Sequence, residues 1–92
     1  MQRNIAETIG LQALGWLAGN DELLPVFLGA TGAGEDDLRA GAQDPAFLAS
    51  VLDFLTMDDA WVVAFCEAAG LDYTAPLAAR QALPGGQVPS WT

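Results

Sequence analysis

The chain has 92 residues, with twelve acidic side chains against three arginines, no lysine and no histidine, a formal charge of −9. DNA, RNA and anionic lipid surfaces should be repelled, because binding them depends on clustered Lys and Arg. The missing imidazoles remove the usual agent of acid–base and metal chemistry near neutral pH. With 52% apolar residues and a mean hydropathy of +0.29, the chain is nonetheless a folding one, because disorder needs low hydrophobicity as well as high charge.

One domain is expected over residues 1–83, with residues 84–92 as a flexible C-terminal tail beyond Pro84-Gly85-Gly86. Alanine and glycine are abundant while Val, Ile and Thr are sparse, which favours helices over strands. The single cysteine, Cys66, has no internal disulfide partner. A start of Met-Gln-Arg-Asn followed by a glycine-broken apolar run lacks the features of a secretory signal. Asp53 and Glu67 interrupt the later apolar runs well short of the roughly 20 residues of a membrane span. A soluble, cytoplasmic protein without a membrane association is the expectation.

In chain order, the first helix runs from about Asn4 to Ala18, with Ile5, Ile9, Ala13, Trp16 and Leu17 at three-to-four spacing on one face. Gly19 stops it, and Asn20 or Asp21 caps a second helix, about Glu22 to Ala30, carrying Pro25 near its first turn. After Thr31-Gly32-Ala33-Gly34, the acids Glu35-Asp36-Asp37 open a short third helix ending near Ala42. Asp44-Pro45 is a cap followed by proline at the first helical position, and the fourth helix buries Phe47, Leu48, Val51, Leu52, Phe54 and Leu55. Asp58 caps the fifth, Asp59 to Ala69, which is apolar nearly all round and so reads as the central helix. A weaker sixth helix runs from Thr74 to about Leu83. The fold class is all-α: a compact orthogonal bundle of five to six short helices with short connections.

The stretch Phe27-Leu28-Gly29-Ala30-Thr31-Gly32-Ala33-Gly34, then Leu38-Arg39, then Phe47 through Leu55, resembles a bacterial family of small all-helical proteins, domain of unknown function 3572. The likeness extends from about Ala6 to Leu83 and rests on helix-boundary and core residues. It implies a small helical domain and carries over no catalytic residue.

Gly32 and Gly34 between two helices are similar to the hairpin of helix-hairpin-helix modules, in which backbone N–H groups approach a phosphate. Glu35, Asp36 and Asp37 stand where that phosphate would dock, and only Arg39 offsets them, so a tight interhelical turn is the simpler reading. Carboxylates at Asn20-Asp21-Glu22, Glu35-Asp36-Asp37 and Asp58-Asp59 lack the alternating spacing of a calcium loop and read as helix caps. Cys66 has no base to activate it, and neither does Ser50, one turn before Asp53. Asp53 and Glu67, the acids placed well inside helices, are the only candidates for a paired-carboxylate site and read instead as solvated helix faces. No catalytic residue, cofactor or metal is expected.

Gly15-Trp16-Leu17-Ala18-Gly19 has the spacing for close helix approach, extended backward by Ala6 and Gly10. Leu11 falls outside the apolar face of the first helix, and Trp91 stands alone near the C-terminus; both are candidate contacts for a partner. The candidate partner-binding residues are therefore Leu11, Gly32, Gly34, Glu35, Asp36, Asp37 and Trp91. The expected function is a non-enzymatic interaction domain for a basic protein partner, the chain itself being a monomer or weak homodimer. The alternative is a nucleic-acid-related role, as a degenerate helix-hairpin-helix or an acidic DNA mimic.

Overall fold

The computed structural model describes residues 1–83. They form α1 (Arg3–Ala18), α2 (Leu24–Thr31), α3 (Glu35–Gly41), α4 (Pro45–Leu55), α5 (Asp59–Ala69) and α6 (Ala75–Ala82). No strand occurs among the described residues, and the chain is a small all-α bundle with a radius of gyration of 12.2 Å. The expected tail at residues 84–92, and with it Trp91, lies outside the described residues.

Local chemistry sets most of the helix ends. The Asp44 carboxylate accepts the Ala46 N–H at 3.0 Å ahead of Pro45, and Asp58 accepts the Ala60 N–H at 2.8 Å. Each satisfies a donor that the first helical turn leaves without an intrahelical acceptor. The second helix starts later than its apolar spacing indicates. Asn20 Oδ1 accepts the N–H groups of both Glu22 (3.1 Å) and Leu23 (3.0 Å), which holds that segment in a turn before α2. Gly32 ends α2 at φ 74°, its N–H donating to the Leu28 carbonyl at 2.9 Å. Glycine enters this left-handed conformation without the Cβ clash other residues meet. Gly34, at φ −105°, needs no such freedom. At α6 the capping side chain is not Thr74 but Asp72, whose Oδ1 accepts both the Thr74 N–H and the Thr74 hydroxyl at 3.0 Å.

The centre of the bundle is α1, α4 and α6, which pack on one another; α5 lies against α1 and α4, and α3 against α4. Leu17, Val51, Leu52, Leu55, Phe27 and Phe65 are fully buried. Burying side chains of this size stabilises the fold by roughly 1.5–3 kcal/mol each. Phe27, the one buried residue of α2, meets Phe54 edge-on at 5.3 Å and Phe47 at 5.9 Å. Phe54 in turn stacks on Trp61 at 4.8 Å, so an aromatic row ties α2 through α4 to α5. Trp16 and Phe65 meet at 5.9 Å and tie α1 to α5.

Three expectations fail here, for related reasons. The buried face of α1 is Ala6, Ile9, Gly10, Ala13, Leu14 and Leu17, whereas Ile5 is 47% exposed and Trp16 only half-buried. The seam is built on small residues: a Cβ placed on Gly10 would stand 2.9 Å from Leu48 Cβ, so α1 and α4 approach where side chains are shortest. Gly15, by contrast, is exposed and a Cβ there would meet nothing within 4 Å, so the Gly15–Gly19 spacing is not the close contact. Lastly, α5 is not central. Only Phe65 and Cys66 are buried in it, while Val63, Ala60, Ala64 and Ala68 face outward.

Candidate functional site

Four of the acids at the helix joints cap them through hydrogen bonds to backbone N–H: Asp37, Asp44, Asp58 and Asp72. The two Thr74 bonds hold the Asp72 carboxyl below the usual carboxylate range, because both favour its charged form. Asp21, Glu22, Glu35, Asp36 and Asp59 are exposed. Of the arginines, Arg3 pairs with Glu7 one turn along α1 at 3.1 Å, and Arg80 of α6 pairs with Asp53 of α4. The Arg80 side chain is only 14% exposed, so this second pair ties the central helices together. Arg39 sits in the last turn of α3, where a cation complements the helix dipole.

The sequence-picked residues do not converge. In the connection between α2 and α3, the Gly34 N–H that a phosphate would use is donated to Asp37 Oδ2 at 2.8 Å, while the Asp37 N–H returns a bond to the Gly34 carbonyl at 3.0 Å. Thr31 Oγ1 accepts the Ala33 N–H at 3.2 Å. The loop's donors are thus engaged by the chain itself. Gly32 and Asp37 line a shallow groove of ≈ 320 Å³ that also includes Gly41 and Phe47. Leu11, 48% exposed, lines a different one of ≈ 230 Å³ between α1 and the start of α4, beside Glu7 and Pro45. Glu35 and Asp36 are exposed and line neither.

The nucleophiles are equally occupied. The Cys66 thiol is buried and donates to the Asp72 carbonyl at 3.4 Å. Burial, and then the nearby Asp72 charge, push it up from the ordinary thiol range and keep it protonated. The Ser50 hydroxyl donates to the Phe47 carbonyl at 2.6 Å. Asp53 faces Arg80, and Glu67 Oε2 accepts the Tyr73 hydroxyl at 3.0 Å, so these two carboxylates serve separate contacts. The Glu67 bond, and then its charge, push the Tyr73 phenol above its usual value. Among the described residues, no three His, Cys, Asp or Glu side chains come together as metal ligands.

Sequence reasoning missed a more apolar surface. Because α5 and α6 both pack on α1 and α4 more than on each other, a groove of ≈ 380 Å³ opens between them. Leu77, Ala78 and Gln81 line it from one stripe of α6, Val62 and Asp59 from α5, and Tyr73 and Thr74 from the connection. Leu77 and Tyr73 are each 53% exposed. The signal was present in that stripe, whose spacing repeats at three and four residues, but Leu77 is its only large apolar member.

No helix among the described residues is long and apolar enough to cross a membrane. Residues 3–86 match the model of a family described as a protein of unknown function, DUF3572. No curated protein matches the chain, and no solved structure does.

Proposed function

The chain belongs to the DUF3572 family, a small helical domain without an assigned activity, and from that premise we propose that it is a non-enzymatic, cytoplasmic interaction domain for a basic protein partner. The observation that carries this reading is the coexistence of large exposed apolar side chains, Leu11, Val26, Met57, Tyr73 and Leu77 among them, with a charge of −9. Isolated apolar residues on a surface are ordinary. Here they accompany a field that steers cationic surfaces toward the domain and speeds their association.

The side chains best suited to chemistry favour the same conclusion. Cys66 is buried and its protonated form is favoured, the Ser50 hydroxyl is donated to a backbone carbonyl, and the chain contains no histidine to activate either. Phosphate binding at the glycine turn would have to displace the Asp37 carboxylate from the Gly34 N–H. A nucleic-acid-binding protein is the second kind of basic partner this reading admits, with the acidic surface standing in for a phosphate backbone.

Crosslinked capture from the native lysate tests the reading. A partner with a basic surface is expected above the level recovered by a charge-matched control protein, and recovery no better than that control overturns it. Loss of the captured partner on adding duplex DNA identifies the DNA-mimic case.

A further inference from the structure

Resting on that reading, we propose that the groove between α5 and α6 seats the apolar face of a cationic amphipathic helix supplied by the partner. Its walls suit a helix-in-groove contact, in which apolar side chains at three-to-four spacing enter a trough between two helices. Leu77 and Ala78 on α6 and Val62 on α5 supply apolar lining. Tyr73 is held in place by its bond to Glu67 of α5, so one large exposed ring is fixed beside the trough.

Charge selects the occupant. Asp59 lines the groove, Glu67 and Asp72 flank Tyr73, and no arginine lines it. The three arginines lie elsewhere: Arg3 with Glu7 on α1, Arg39 on α3, and Arg80 turned to Asp53 of α4. A helix carrying Lys and Arg beside its apolar stripe would meet Asp59 in the trough and Glu67 and Asp72 around Tyr73 at its edge, whereas an acidic or neutral helix would gain nothing from them. A second copy of this chain brings another −9 and is opposed by its own charge.

The test uses the full chain and a fluorescein-labelled peptide of leucine and lysine in amphipathic helical register. Two control peptides accompany it, one with glutamate for lysine and one with serine for leucine. Fluorescence anisotropy should show binding of the leucine–lysine peptide alone, with amide shifts centred on Val62, Tyr73 and Leu77. Leu77→Asp, at a side chain already half outside the fold, should weaken binding roughly tenfold or more, the loss of a central anchor. Gln12→Asp, which adds the same charge at an exposed position of α1 outside the groove, should leave it unchanged.

Equal binding of the serine–lysine peptide would reduce the contact to charge alone and overturn the groove assignment, as would absence of binding or shifts centred on Leu11. A concentration-dependent dimer that Leu77→Asp abolishes would give the groove to a second copy and overturn it too. Lysate capture separates the two levels. A partner retained by Leu77→Asp sinks the groove but leaves the interaction reading standing; no specific partner for the native chain sinks both.

Discussion

Two identical substitutions in α1 should move stability in opposite directions. Replacing a helical glycine by alanine stabilises by about 0.5–1 kcal/mol where space allows, because glycine loses more backbone entropy on folding. Gly15 has that space: a Cβ there meets nothing within 4 Å, and Gly15→Ala should raise the melting temperature by roughly 2–8 °C. At Gly10 the new Cβ would stand 2.9 Å from Leu48 Cβ. Carbon atoms pack best at about 3.5–4.0 Å, so α1 and α4 must separate or distort, and overpacking of this kind costs about 1–3 kcal/mol. Set against the intrinsic gain, Gly10→Ala should lose about 1–2 kcal/mol and melt roughly 5–15 °C lower. Leu48→Ala should not rescue it, since the clashing atom is the Cβ that alanine retains. Urea unfolding and thermal melts of the single and double variants measure all three effects. A Gly10→Ala protein that melts at or above the native temperature would refute the close approach of α1 and α4.

Asp44→Ala and Asp58→Ala should each destabilise by about 1 kcal/mol in urea titrations, through loss of the bonds to Ala46 and Ala60. Asp53→Ala should cost about 1–2 kcal/mol in the same titration, because it removes the carboxylate facing the largely buried Arg80. The chain has a single tyrosine, so phenolate absorbance follows Tyr73 alone; its midpoint should lie above about 10 and fall toward that value in Glu67→Ala. Stability should be flat from about pH 6 to 8, as no histidine titrates there. With Cys66 and Tyr73 raised in the fold, their contributions are complete below about pH 8.5 and 10 respectively, and each is lost as pH rises through the folded value. Asp72, lowered in the fold, contributes fully well above about pH 4, and that contribution is lost as pH falls through its folded value. A urea midpoint followed from pH 3 to 11 checks both signs.

Helix ends were legible in the sequence because their signals are local. Asp44-Pro45 and Asp58 place side-chain acceptors where the first turns need them, and α5 runs from Asp59 to Ala69 as its flanking residues indicate. The rotation of α1 was legible only in part: the small-residue spacing included Ala6 and Gly10, but the apolar spacing put Ile5 and Trp16 on the buried face. Its apolar residues surround the helix, and what marks the buried face is the close approach of Gly10 to Leu48 beside the buried Ala6, residues that weigh little on any hydrophobic scale. For α5, composition misled in the opposite sense: alanines and a valine make it apolar all round, yet nothing covers its outer side within the described residues. Local rules also cannot show pairs made across the bundle, such as Arg80 with Asp53, 27 residues apart. The candidate surface was hidden for that reason. Val62, Tyr73 and Leu77 belong to three successive segments, and only the packing of α5 and α6 on a shared pair of helices places them along one trough.

The acids and the bases of this chain obey different constraints, and the difference bears on the groove. Carboxylates at Asp37, Asp44, Asp58 and Asp72 are fixed by backbone donors, so their positions follow from where helices begin. Bases have no comparable demand in helices this short, apart from the weaker pull of a helix C-terminus on Arg39. Two of the three pair with a carboxylate on α1 or between α4 and α6, and none lines the trough between α5 and α6. Lysine on the exposed positions of α5 or α6 would be tolerated by the fold, yet it would set a repulsive charge beside any cationic helix approaching Leu77 and Tyr73. Their absence from the groove agrees with the proposed cationic occupant. Capping explains where Asp37, Asp44, Asp58 and Asp72 lie, and the proposed cationic partner would add a reason for the lack of bases beside the groove that folding alone does not supply.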